Sequence, residues 1–132
     1  MKKKIVFLMC LCFMATSVCA YDECESAGGT EITAKNGTKF CKSKLPMNWW
    51  TAFNWCESNK GDLASFGKMC PDIPTAVNNA TGACPNLQGT GDGGVWSSLG
   101  YSSNGSLVVV LSSGVVSYYS RHNSNSNFAL CE

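Results

Sequence analysis

Few residues of this 132-residue chain could do chemistry: nine cysteines, nine acids and a single histidine. His122 lies in the run SRHNSNSN, with no acidic residue close by in sequence to orient its ring as a general base. A dyad would need the fold to bring Asp62, Asp72 or Asp92 to it. The serines form no Gly-x-Ser-x-Gly elbow. The glycine-rich GTGDGG lacks the Lys-Ser/Thr pair and the strand-to-helix context of a phosphate loop. Asp92 inside that stretch has the oxygen chemistry to touch an ion, although an aspartate between glycines is more often a turn residue. No enzyme is therefore expected, and a small hydrolase using His122 is kept as the catalytic alternative.

The cysteines depend on how the chain begins. MKKKIVFLMCLCFMATSVCA has a three-lysine head, an apolar run and a small-residue end, the pattern of a secretory signal of bacterial type over residues 1–20. It is short for a bilayer span, and no stop-transfer pattern follows. A lipoprotein signal acylated on Cys19 is the alternative, disfavoured by Val18. Cleavage after Ala20 leaves one domain, 21–132, with six cysteines: Cys24, Cys41, Cys56, Cys70, Cys84 and Cys131. An even number in a small exported domain predicts three disulfides, with fifteen pairings open. A zinc site would need close C-x2-C pairs, which these spacings lack. Loss of Lys2, Lys3 and Lys4 leaves seven basic residues against nine acids, a net charge of about −2. That balance argues against a nucleic-acid partner. No other apolar run reaches membrane-spanning length, so the expected location is secreted or periplasmic, or at the cell surface.

Around these residues stand the elements that must position them. Asn36-Gly37 between two extended stretches predicts a hairpin over residues 31–42 with a type I′ turn. Pro46 is expected to break the chain. In PMNWWTAFNWC, Trp49, Ala52, Phe53 and Cys56 fall at i, i+3, i+4 and i+7, predicting a helix over 48–58 capped by Asn48 and stopped by Gly61. Trp49, Phe53 and Trp96 are expected in the core, while Trp50 or Trp55 could lie exposed and stack on a ligand. Residues 67–94 hold three prolines and six glycines and predict a long loop region. Strand chemistry returns at 95–99, at 106–119 as a hairpin turning on Ser112-Ser113-Gly114, and at 128–131.

These residues together resemble a C-type lectin-like domain, in a short secreted bacterial variant. The resemblance rests on Phe40, Cys41, Met47, Trp49, Ala52, Cys56, Gly61, Leu63 and Ala64, and on VWSSL and FALCE near the carboxyl end. It implies an α+β fold with an amino-terminal hairpin, one main helix, a long loop region and small antiparallel sheets. It also implies the bridges Cys24–Cys41, Cys56–Cys131 and Cys70–Cys84. Calcium-dependent sugar binding in that family uses a Glu-Pro-Asn or Gln-Pro-Asp triplet and a Trp-Asn-Asp triplet. Cys84-Pro85-Asn86 and Trp96-Ser97-Ser98 stand here instead, so no metal and no cofactor is expected.

What remains is a binding surface. SYYSRHNSNSN mixes tyrosine, arginine, histidine, serine and asparagine in the manner of adaptable binding loops. Trp50, Tyr118, Tyr119, Arg121, His122, Asn123 and Asn125 are the candidate ligand-binding residues. The expected function is a non-catalytic, calcium-independent binding or adhesion module for an extracellular or periplasmic protein or glycan. The alternative is an assembly subunit of a bacterial surface or pilus structure.

Overall fold

A hairpin, a three-stranded meander and one late strand build the sheet in the computed structural model, which describes residues 23–59, 61–73, 83–100 and 103–132. The segment expected to be a secretory signal, 1–20, and part of the expected loop region, 74–82, lie outside the described residues. The strands are β1 (Gly29–Thr33), β2 (Lys39–Met47), β3 (Gly94–Gly100), β4 (Gly105–Val110), β5 (Val116–Ser120) and β6 (Asn127–Cys131). Two helices pack against them, α1 (Trp49–Ser58) and α2 (Phe66–Met69), and residues 23–26 form a further helical turn.

The chain is α+β, but its strands form one mixed six-stranded sheet, in the order β1-β2-β6-β3-β4-β5, rather than several small antiparallel ones. The reason is β6. It runs antiparallel to β2 and parallel to β3, with Val95 opposite Phe128, and so welds the amino-terminal hairpin to the β3-β4-β5 meander. Such a long-range join has no local sequence signal.

The first hairpin forms where expected but not with a type I′ turn. Gly37 N donates to Ala34 O, Ala34 N donates to Thr38 O, and Gly37 takes φ +90°. This is a three-residue loop, Lys35-Asn36-Gly37, in which glycine supplies the left-handed residue that closes the hairpin. Pro46 likewise does not break the chain. It lies within β2, opposite Phe128, beyond a register shift that begins after Lys42. At that irregularity Ser43 replaces the ladder: its buried hydroxyl accepts from Ala129 N (3.0 Å) and donates to Leu45 O (2.8 Å).

α1 follows the apolar stripe. Asn48 caps it, its side chain accepting from Thr51 N at 2.8 Å, and Trp49, Ala52 and Cys56 are buried. Asn59 is the C-cap, and Gly61 N closes on Cys56 O just beyond it. Phe53 is partly buried and stacks on Trp49, with ring centroids 5.5 Å apart. Together these side chains cover one face of the sheet at Trp96, Val108, Ala129 and Cys131. Both buried indoles find acceptors: Trp96 Nε1 donates to Met47 O and Trp49 Nε1 to Ser97 O, each at 2.9 Å. The Gly-x-Leu-Ala segment runs beside β6 through a single bridge, Leu63 to Cys131.

The opposite face is covered by α2 and the turns of 83–93. Phe66, Met69 and Leu87 pack there on Val95, Leu107, Val109 and Leu130. Three disulfides fix the arrangement: Cys24–Cys41, Cys56–Cys131 and Cys70–Cys84, the pairing that the resemblance implies.

Candidate functional site

The end of the molecule where α1 begins collects most of the candidate residues. β5 carries Tyr118 and Tyr119, and the chain then turns through Arg121, His122 and Asn123 toward β6. At that turn Arg121 O accepts from Trp49 N (3.2 Å), giving a partner to a donor that the first turn of a helix leaves unpaired. The loop and the helix are thus tied through backbone before any side chain is considered.

Arg121 is the anchor. Its guanidinium lies over the Trp49 ring, 4.5 Å from the centroid, and its Nε donates to Ser106 Oγ at 2.6 Å. Its backbone N donates to Asn104 O at 2.7 Å. Gly100 leaves the space it needs, since a Cβ there would stand 2.5 Å from Arg121 Nη2. Among the described residues the ion pairs are Lys39–Glu31 and Lys68–Glu132, so no carboxylate there pairs with Arg121.

Trp50 is 45% exposed, with its ring edge-on to Trp49 at 4.8 Å and tilted against His122 at 5.9 Å. His122 is exposed, and among the described residues no ion pair joins it to a carboxylate. The aspartates considered for a dyad are placed by other contacts: the Asp62 backbone pairs with Glu132, and Asp92 O accepts from Lys42 Nζ at 2.7 Å.

The two tyrosines part company. Successive strand residues point to opposite faces. Tyr119, opposite Ser106, lies on the α1 side, edge-on to Trp96 at 6.5 Å. Tyr118, opposite Leu107, lies on the other side with the Val116 face. Of the seven candidates the fold therefore gathers Trp50, Tyr119, Arg121 and His122 and sets Tyr118 apart. Asn123 and Asn125 line a shallow open depression with Tyr119, Ser120, Ser124 and Ser126. That loop is braced from within, Ser124 N donating to Ser120 O and Asn127 Nδ2 to Ser124 Oγ.

Three contributors were missed by the sequence reading: Trp49 as the floor under Arg121, Ser106 as its acceptor, and Gly100 as its clearance. Ser106 carried a faint signal, a polar residue immediately before the continuous apolar run of β4, fully buried in the fold. The loop triplet proves structural. Asn86 is buried, its Nδ2 donating to Met69 O (3.0 Å) and its Oδ1 accepting from Asn36 N (2.9 Å). Among the described residues no group of three or more His, Cys, Asp or Glu side chains is arranged to hold a metal. No protein-family model matches this chain, and no curated protein matches its sequence.

Proposed function

We propose that this chain is a secreted or periplasmic, non-catalytic module of C-type lectin-like fold that binds a protein or glycan without calcium. The observation that carries the reading is the anchored Arg121 with exposed Trp50, Tyr119 and His122 beside it, an arrangement with rigid aromatic area and no general acid–base pair. Supporting the fold name are the bridge from α1 to the last strand and the tied loop opposite it. Supporting export are three disulfides in so small a domain.

The test is an unbiased glycan and protein-partner screen of the oxidised protein, repeated with Trp50→Ala plus Tyr119→Ala and, as a control on the other face, Tyr118→Ser. Partner capture is expected to fall in the double variant and to persist in the control. Capture that persists in the double variant and fails in the control would move the binding surface elsewhere. One observation favours assembly as a second reading: β5 is an edge strand flanked by exposed Val115 (45%) and carrying exposed Tyr118 (53%). That reading expects a mass that rises with protein concentration.

A further inference from the structure

The chain's single arginine and single histidine are neighbours, and from residue 93 to residue 131 there is no acidic residue at all; nor is there one from 32 to 56. The segments that meet where α1 begins therefore bring two side chains able to carry positive charge and no negative one, on a mature chain whose net charge is negative. Arg121 is held there by Trp49 beneath and by Ser106 on its Nε. This fixes the plane of the guanidinium, and among the described residues no side chain or carbonyl accepts from its terminal N–H groups. A partly buried cation without a counter-ion is unfavourable by itself, and a planar fork held in one orientation is preorganised for a planar acceptor. Beside it, Trp50 offers an exposed ring, and the adjoining depression offers the hydroxyls and amides of Ser120, Asn123 and Asn125.

Resting on the reading of this end as a binding surface, we propose that the ligand is a carboxylate-bearing saccharide. Arg121 takes the carboxylate, Trp50 stacks on the C–H face of a sugar ring, and the asparagine- and serine-rich loop takes hydroxyls. A shallow, open depression lined by serines and asparagines suits a hydroxyl-rich ligand better than a peptide that docks through an apolar anchoring side chain.

The experiment titrates the full oxidised protein by calorimetry with galacturonate, glucuronate and sialylated oligosaccharides, their methyl esters, neutral counterparts and polyglutamate. Acidic saccharides are expected to bind, with esterification weakening them by about tenfold or more, as loss of a charge-assisted hydrogen-bonded pair does. Arg121→Gln should produce the same loss, and Arg121→Lys a partial one. Because Arg121 also packs on Trp49, Trp50→Ala serves as a second variant at an exposed position, expected to weaken acidic saccharides while leaving the melting temperature unchanged. Equal affinity for acids, esters and neutral sugars would overturn the proposal and leave the binding-module reading intact. Binding of polyglutamate without any saccharide would overturn the ligand class. Failure of every acidic saccharide would overturn the proposal, while the unbiased screen separately decides the module reading.

Discussion

On one face of the sheet a ten-residue helix lays Trp49, Ala52 and Cys56 over Trp96, Val108 and Ala129, whereas the other face is covered by a single turn of helix and a run of turns carrying Phe66, Met69 and Leu87. The helix satisfies its own backbone and needs an apolar stripe and a cap. The irregular cover must borrow partners from elsewhere. Cys84 N donates to Gly114 O and Gly89 N to Leu111 O, both on the β4–β5 connection, while Asn86 binds Met69 and Asn36. Gly114 is required at this approach, with φ +75° and a would-be Cβ 2.8 Å from Cys84 O. A core can thus be roofed without regular structure when cross-links and side-chain amides replace the helix's internal bonds.

Each roof is pinned by its own disulfide, and removing them separately is the largest test of the contrast. Cys56–Cys131 spans 75 residues of sequence and Cys70–Cys84 spans 14. In the chain-entropy model the first stabilises by about 4.5 kcal/mol and the second by about 3 kcal/mol. Denaturant unfolding of the Cys56→Ala/Cys131→Ala and Cys70→Ala/Cys84→Ala pairs should reproduce that order. The reverse order would mean that the irregular roof leans on its staple more than loop length predicts.

Below these effects come the polar substitutes. Asn86→Ala removes one buried and one part-buried hydrogen bond and leaves Met69 O without its amide partner, a loss of about 2 kcal/mol. Asn48→Ala removes only a cap, for about 1 kcal/mol. If both variants unfold at the same midpoint, the irregular face is no more dependent on single side chains than the helical one.

The difference between the faces also explains what the sequence revealed. The helix was legible because its period and cap are local: Trp49, Ala52 and Cys56 are buried as the spacing requires, and Asn48 caps. The β4–β5 hairpin was legible for the same reason, through Ser112-Ser113-Gly114. The insertion of β6 between β2 and β3 was not, because pairing across most of the chain leaves no local pattern. Pro46 misled, since it lies beyond the register shift, where the ladder is already interrupted and the Ser43 hydroxyl accepts from Ala129 N. At the candidate site, residue type and clustering pointed to Trp50 and the loop after β5. They missed that Arg121 is fixed by Trp49 and Ser106, contacts made from distant parts of the chain. Strand alternation alone could have separated Tyr118 from Tyr119.

Each face also holds one cation on an aromatic ring, and the second supplies the smallest test. Lys42 Nζ stands 4.2 Å from the Phe128 ring centroid while donating to Asp92 O, so it ties the turn at Asp92-Gly93 to β6. Burial lowers the Lys42 pKa below its ordinary value of 10.5, and the nearby Asp92 charge offsets this in part. The sign follows from proton counting. Between the lowered folded value and the ordinary unfolded one, the unfolded chain binds more protons than the folded one, so stability rises with pH across that interval. Below it the charged ammonium is a constant cost to the folded state. Lys42→Met keeps the stem on Phe128 and removes the charge. Stability at pH 7 should therefore change by no more than about 1 kcal/mol, the lost contacts opposing the relieved desolvation. The rise toward pH 10 should flatten when urea unfolding of the two proteins is compared point by point. An unchanged alkaline rise in the methionine variant would assign it to other groups.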